Sequence, residues 1–238
     1  MQRFFVSPDS IKGGLLTVHS AELAHQFRRV LRLSPGDEFV VLDNTGAEFR
    51  CSLVDMGKER VEAKVVEQTE CATESACELT LYQAMPKKAA LFELILQKGT
   101  ELGVTTFVPL MTERSERERL PRADRLERII REAAEQSERG VLPKLLEPVN
   151  FSDLPFGPEL LVLHSRGELP YLGELLGERS GGEARGHLGL VVGPEGGLTE
   201  AEVDHARKTG SPAVTLGPRI LRTETAAISA ASIALLRP

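Results

Sequence analysis

Two stretches near the carboxyl end of the chain concentrate residues that can hold a ligand through the backbone. An apolar run, residues 188–192, ends in Gly193-Pro194-Glu195-Gly196-Gly197, and a second, residues 213–216, ends in Gly217-Pro218-Arg219-Ile220-Leu221-Arg222-Thr223-Glu224-Thr225-Ala226. Glycines supply φ > 0 and let a flat ligand approach the main chain. A connector needs one or two of them, so three glycines, a proline and a carboxylate at a buried edge in five residues read as a ligand loop. The spacing matches neither GxGxxG nor GxxxxGK[ST], which excludes the fingerprints of a dinucleotide fold and a P-loop ATPase. In the second stretch Ile220 and Leu221 stand between Arg219 and Arg222. This reads either as a loop tucked into the core with its arginines reaching solvent, or as an apolar wall for a base or thioether, with Arg222 and Glu224 as polar handles. Thr223 or Thr225 is placed to cap the helix that follows.

The elements that position these loops can be read around them. Thr199-Glu200-Ala201-Glu202 fits a capping box, and Gly210 is suited to end the same helix. Strand, helix, strand is a parallel crossover. Both Gly-Pro turns are then expected at the carboxyl ends of neighbouring strands, where open α/β sheets bind ligands. Arg114-Ser115 follows the expected strand at 105–110 on that same edge, which makes the pair a candidate contact for a substrate phosphate or base. The arginines around it (Arg114, Arg117, Arg119, Arg122, Arg125, Arg128, Arg131) alternate with glutamates, the pattern of a solvated, ion-paired helix face. Glu132, Gln136 and Arg139 recur about once per helical turn. They read as an active-site wall, a subunit contact or, foremost, a solvated face.

Two regions differ in period. Residues 1–70 read as β-rich: a strand at 39–42, a turn at 43–46, returning strands at 47–54 and 60–67, and one helix at 20–30 with Ser20 as N-cap. Short alternating strands with one helix suggest a small barrel. Residues 67–78 are polar and read as a linker. Beyond them come a strand at 79–84, a helix at 89–102 with Leu91, Leu94, Ile95, Lys98 and Leu102 on one face and Gly103 as its stop, and a strand at 105–110. A helix at 122–137 follows, with Leu126, Ile129, Ile130, Ala133 and Ala134 inward, then a strand at 160–164 and the two terminal units. Strands alternating with helices imply a mainly parallel sheet. The final segment, residues 226–236, is rich in Ala, Ile and Leu, so it is expected to be buried on most sides, which favours a homodimer. The organisation is a β-barrel domain at 1–70 followed by an α/β domain at 75–238.

Composition sets outer bounds. The chain has 238 residues, 41% hydrophobic and 27% charged, with no Trp, so the core is aliphatic. No apolar run approaches the ~20 residues needed to span a bilayer. Met1-Gln2-Arg3-Phe4-Phe5-Val6 lacks the pattern of a signal peptide, so a cytoplasmic location is expected. Cys51, Cys71 and Cys77 have no CxxC spacing, and the five histidines form no HxxxH pair, so no metal site is expected. A net charge of −6 argues against broad non-specific nucleic-acid binding but leaves room for a local basic face.

Several segments taken together resemble the ribosomal RNA small-subunit methyltransferase E (RsmE) family of the SPOUT class. They are Arg3-Phe4-Phe5-Val6; Val30-Leu31-Arg32-Leu33 with Gly36-Asp37; Gln97-Lys98 with Glu101-Leu102-Gly103-Val104; Pro109-Leu110 with Glu113-Arg114-Ser115; Glu132-Ala133-Ala134-Glu135-Gln136-Ser137 with Arg139 and Pro143; residues 193–197; and residues 216–226. They run in order over nearly the whole chain. The resemblance implies an amino-terminal PUA-like barrel and a carboxy-terminal α/β domain with a trefoil knot. It also implies S-adenosyl-L-methionine as cofactor, a homodimer, and methylation of N3 of a uridine in 16S ribosomal RNA. It assigns cofactor contacts to Leu163, to Gly193, Pro194, Glu195, Gly196 and Gly197, and to Leu216, Gly217, Ile220, Leu221, Arg222, Thr225 and Ala226. Catalytic candidates are Arg114, Arg222, Glu101 and Glu224, and RNA-binding candidates are Arg3, Arg28, Arg32, Arg114, Ser115 and Arg139. Where the family tends to have Pro-Lys-Gly, this chain has Pro86-Lys87-Lys88. Two other readings fit the same residues: an enzyme of this class acting on another RNA such as transfer RNA, and a non-catalytic RNA-binding protein.

Overall fold

Residues 1–116, 122–179 and 186–236 are described by the computed structural model. Arg117 and Arg119 lie outside them. The chain divides into two compact units, Met1–Glu74 with Ala134–Leu142, and Ser75–Ala133 with Pro143–Pro238. Two contiguous domains do not anticipate the return of Ala134–Leu142 to the first unit.

The first unit holds β1 (Arg3–Phe5), β2 (Ile11–Lys12), β3 (Leu15–His19), α1 (Ala21–His25), β4 (Glu38–Leu42), β5 (Ala47–Met56) and β6 (Arg60–Glu70). The strands form one sheet in the order β1-β4-β5-β6-β3-β2. β1 is parallel to β4 and the other pairs are antiparallel. Register shifts between β5 and β6 at Arg50/Cys51 and Leu53/Asp55 bend and twist the sheet. It curls around one apolar interior that includes Phe4, Leu16, Phe27, Phe39, Phe49 and Val61, as the barrel expectation requires. Ser20 caps α1, accepting from the Leu23 amide at 3.1 Å. The helix does not run on as α to residue 30; it widens into a π-helix over Gln26–Leu31 and stops at Arg32, whose φ is +56°. The polar stretch read as a linker is shorter than 67–78, because cross-strand pairing carries β6 through Glu70.

Ala134–Leu142 is held by carboxylates and an amide. Glu74 accepts from Arg139 Nη2 at 2.8 Å and from the Gly140 and Val141 amides at 3.0 and 3.1 Å. Glu135 accepts from the Phe5 amide and Asn44 from the Leu142 amide. Arg3 joins Glu48 at 3.0 Å and Glu138 at 2.9 Å.

The second unit holds β7 (Glu78–Ala84), α2 (Ala89–Leu102), β8 (Thr106–Met111), β9 (Lys144–Leu145), β10 (Val149–Asn150), β11 (Leu160–Leu163), α4 (Leu172–Arg179), β12 (His187–Val192), α5 (Glu200–Lys208), β13 (Ala213–Val214) and α6 (Thr223–Leu235). Between β8 and β9, α3 (Ala123–Gln136) carries the chain into the first unit. Every pairing in this sheet is parallel, and the strand order is β10-β8-β7-β12-β11-β13, with β9 on β8. β12 and β13 are therefore not neighbours, since β11 lies between them; the crossover through α5 skips one strand. Short β1, β2, β3, β9 and β10 and the helix α4 were not legible as elements in the sequence.

The helices correct the expected faces. α2 has the expected bounds, but Phe92, Ile95, Leu96, Gly99 and Thr100 are its buried residues, while Leu91, Leu94, Lys98 and Leu102 are half-buried. Gly99 faces the Phe107 ring so closely that a Cβ would sit 2.7 Å from it, which turns the helix by about one position. On α3 Ile129 is half-buried, whereas Leu126, Ile130, Ala133 and Ala134 are buried. α6 begins at Thr223, three residues earlier than expected, and buries Thr223, Ala227, Ala230 and Ala231 rather than most of its surface. Its N-cap is Arg222, which makes no side-chain capping bond, so neither Thr223 nor Thr225 is the cap.

Candidate active site

At the carboxyl edge of the parallel sheet a cavity of about 380 Å³ opens between the two Gly-Pro loops. This lies within the roughly 300–1,000 Å³ common for small-molecule sites. Its walls include Leu163 and Val192 from strand ends, residues Gly193 to Leu198 from one loop, Thr215 to Gly217 with Arg219, Ile220 and Leu221 from the other, and Thr223 and Ala226 from α6. Arg114, His164, Ser165, Arg166 and Glu200 complete it. Eleven of the thirteen expected cofactor contacts therefore line a common cavity, together with Arg114: Leu163, Gly193, Pro194, Glu195, Gly196, Gly197, Leu216, Gly217, Ile220, Leu221 and Ala226.

The first loop needs its glycines for two physical reasons. A Cβ on Gly193 would lie 2.9 Å from the Leu198 amide nitrogen and 3.1 Å from the Gly197 carbonyl carbon, so any side chain must displace main chain. Gly197 turns at φ +69° and Gly217 at φ +121°, in the region that L side chains disfavour. Thr199 and Glu202 form the full capping box, with the Glu202 amide donating to Thr199 Oγ1 at 3.2 Å and the Thr199 amide to Glu202 Oε2 at 2.8 Å. Glu202 also accepts from the Glu113 amide through its other oxygen at 2.9 Å. One carboxylate thus starts α5 and anchors the segment after β8.

Other polar groups tie the same loops. Arg114 Nη1 donates to the Gly196 carbonyl at 2.7 Å, so this guanidinium supports the glycine loop. Glu195 is exposed, not at a buried edge, and accepts from the Lys87 amide at 3.1 Å. Lys87 Nζ in turn pairs with Glu116 at 2.9 Å. Lys88, in place of the family's glycine, has φ −97° and caps the start of α2 in an extended conformation; a side chain sits there without backbone strain. Ser115 is half-buried and its hydroxyl accepts from the Thr112 amide.

Other expected site residues stand elsewhere. Glu101 pairs with Lys98 at 2.8 Å near the end of α2. α2 runs back from the carboxyl end of β7 to the start of β8, so Glu101 is at the opposite sheet edge and cannot reach the cavity. Arg222, Glu224 and Thr225 do not line the cavity: Arg222 and Thr225 are exposed at the start of α6, and Glu224 is half-buried in its first turn. Arg139, with 4% of its side chain exposed, is committed to Glu74. Arg3, 15% exposed, is committed to Glu48 and Glu138. Both form ion pairs within the first unit. Arg28 and Arg32 are exposed, with Arg28 donating to the Gly57 carbonyl. Glu132 and Gln136 are exposed, so the three-residue polar face does not hold together.

No pattern in the sequence singles out His164, which directly follows β11. Its side chain is 8% exposed, Nε2 makes no hydrogen bond, and Glu200 Oε1 lies 3.6 Å away. A buried ring nitrogen without a hydrogen bond, on the wall of a cavity, suits a ligand polar atom. The glycine loop beside it presents main chain to the cavity and leaves room for a flat ligand.

Comparison with known proteins agrees with this geometry. An RNA methyltransferase domain matches residues 73–235, and an RNA methyltransferase PUA domain matches residues 22–66. A ribosomal RNA small subunit methyltransferase E from Synechocystis is 39% identical over 94% of this chain and 74% of its own length. The Bacillus subtilis protein of the same name is 32% identical over 98% and 95%. Among solved structures, a ribosomal RNA small subunit methyltransferase E from Neisseria gonorrhoeae bound to S-adenosyl methionine superposes with a TM-score of 0.85 at 30% identity, covering 98% of this chain and 95% of that one. A Legionella pneumophila putative methyltransferase in complex with the same cofactor gives 0.82 at 29%, covering 98% and 96%.

A parallel sheet with glycine loops at its carboxyl edge, joined to a PUA-like barrel, defines an S-adenosylmethionine-dependent RNA methyltransferase. The chain belongs to the ribosomal RNA small subunit methyltransferase E family.

Proposed function

We propose that this chain methylates N3 of a specific uridine in 16S ribosomal RNA, with S-adenosylmethionine held in the cavity between the two Gly-Pro loops. The observation that carries the reading is the convergence of Gly193 to Gly197 and Leu216 to Leu221 on that cavity. Bound cofactor supplies an electrophilic methyl group on sulfonium, so the protein's work is positioning and electrostatics. The glycine loop presents main chain to the flat adenine, and Ile220 and Leu221 give it an apolar wall. His164 Nε2 is placed to bond a ribose or carboxylate oxygen.

N3 lies on the Watson–Crick edge, so the uridine must be unpaired to react. Its proton must leave as the methyl arrives, and negative charge spreads to the uracil carbonyl oxygens. Arg222, exposed beside the cavity-lining Leu221, and the positive end of α6 are suited to stabilise that charge. Glu224 in the same turn is the remaining carboxylate candidate for accepting the N3 proton. The mouth of the cavity carries Arg114, Arg166 and Arg219 against Glu195 and Glu200, a balance that favours a phosphodiester chain.

Three further readings belong to the same proposal. The first unit binds RNA through Arg28, Arg29 and Arg32 on its exposed turn. The chain pairs as a homodimer. The second unit carries a trefoil knot, supported by a path that leaves β13 at one end of the strand order and returns to place Thr223 against Gly193 and Gln83. Mass spectrometry of small-subunit RNA incubated with protein and isotopically labelled cofactor tests the activity. Labelled 3-methyluridine in 16S RNA is expected. Label found only in transfer RNA, or none despite cofactor binding, overturns it. Gly196→Val tests the cavity: its Cβ would meet Arg114 in ordinary contact at 3.4 Å and its two methyls add bulk to the cavity loop, and calorimetry is expected to show loss of cofactor binding in a folded variant.

A further inference from the structure

A buried polar chain links the two walls of the cavity from behind. Gln83 stands near the end of β7, in register with Val192 of β12, the residue before Gly193. It is 1% exposed. Its Nε2 donates to the Ala84 carbonyl at 2.7 Å and to Thr223 Oγ1 at 2.9 Å. The Thr223 hydroxyl, in a residue 4% exposed, donates onward to the Gly193 carbonyl at 2.6 Å. Gln83 Oε1 has no hydrogen-bond partner among the described residues.

The orientation of this chain is determined by its acceptors. Turning the carboxamide over would set Oε1 against the Ala84 carbonyl and would claim the Thr223 proton that Gly193 receives. Burying an amide oxygen without a hydrogen bond is unfavourable. A central strand of a parallel sheet, covered on both faces, ordinarily carries aliphatic residues. An amide held there at a cost, and aimed at the join of the two loops, is a device for position.

We propose that Gln83 and Thr223 are a positioning pair that sets the separation of the two cavity walls, and with it the affinity for S-adenosylmethionine. Thr223 is the first residue of α6 and directly follows the loop that carries Ile220 and Leu221. Gly193 opens the opposite loop. The hydroxyl bond fixes one to the other, and Gln83 fixes the hydroxyl to the sheet. The proposal rests on the cavity being the cofactor site.

Calorimetry with the full chain and S-adenosylmethionine tests it, alongside thermal melts and cofactor KM and kcat. Thr223→Val and Gln83→Met each keep volume and remove the relay; each is expected to weaken cofactor binding about tenfold, on the order of the loss of one buried hydrogen bond. Cofactor KM is expected to rise, with kcat at saturating cofactor within about twofold of the starting protein. Thr223→Ser keeps the hydroxyl and is expected to restore affinity. Ile95→Val, on the buried face of α2, supplies a destabilised control with unchanged affinity. If folded Thr223→Val and Gln83→Met bind as the starting protein does while Gly196→Val has lost binding, the relay is idle and the proposal fails. If Gly196→Val also binds normally, the cavity reading fails and takes the proposal with it.

Discussion

At the scale of single residues, the glycines of the first loop do different jobs. Gly193 has no room for a side chain, because its Cβ position is 2.9 Å from a backbone nitrogen. Gly193→Ala is therefore expected to shift the loop, reducing both thermal stability, by about 1–3 kcal/mol, and cofactor affinity. A melt and a titration identical to the starting protein would contradict this. Gly196 has ordinary contacts, so substitution there acts on the cavity and Arg114 rather than on the fold. Cys51 gives a chemical check on the first unit: burial pushes its thiol up to about 11. It is expected to resist alkylation at neutral pH in the native state while the half-buried Cys71 and Cys77 react, as peptide mass mapping would show. Glu138 adds an acid-sensitive contact. The hydrogen bond from Arg3 holds its carboxyl below the usual range. A folded pKa below the unfolded value means stability that is present above the ordinary glutamate pKa, about 4.3, and lost as pH falls through the folded value. Glu138→Gln is expected to melt slightly lower at neutral pH, with the gap closing below about pH 4. A gap that persists in acid would show that the ion pair is not its source.

At the scale of elements, the capping box at α5 shows how one local motif does two tasks. Removing the Thr199 hydroxyl should cost about 1 kcal/mol as a lost cap. Glu202, however, also holds the Glu113 amide. Glu202→Ala is therefore expected to lower thermal stability more than Thr199→Ala does; equal effects would mean that the second bond contributes nothing. This helix was readable because its signals lie within four residues. The strand order was not, because no local signal in residues 187–214 says that β11 sits between β12 and β13. The same limit explains α2, where the period located the helix but the Gly99–Phe107 contact, eight residues apart, selected the face. It explains Arg3 and Arg139 as well: as isolated arginines they suit RNA, and only the fold brings Glu48, Glu138 and Glu74 to them. The two glycine loops were legible as a site because their residue types are costly anywhere else. His164 and the Gln83–Thr223 pair were not, since a lone histidine or glutamine in an apolar strand has no distinguishing pattern until its neighbours are placed.

At the scale of the whole molecule, the second unit leaves apolar surface that a single copy does not cover. Along α6, Thr225 is exposed, Ile228, Ser229 and Ser232 are half-buried, and Leu236 just beyond it is 65% exposed. These positions recur at helical spacing opposite the buried Ala227, Ala230 and Ala231. Leu91, Leu94 and Leu102 of α2 are half-buried too, and α2 packs beside α6. Small and aliphatic side chains on adjacent helices let a second copy approach closely, and stable pairs bury about 1,200–2,000 Å² in total. The chain is therefore expected to run as a dimer in light scattering at micromolar concentration. Ile228→Arg places a charge on that stripe without touching the sheet-facing side, and should yield a folded monomer. A starting protein that is monomeric at the highest soluble concentration, or an Ile228→Arg variant that stays dimeric, would move the subunit contact off α6.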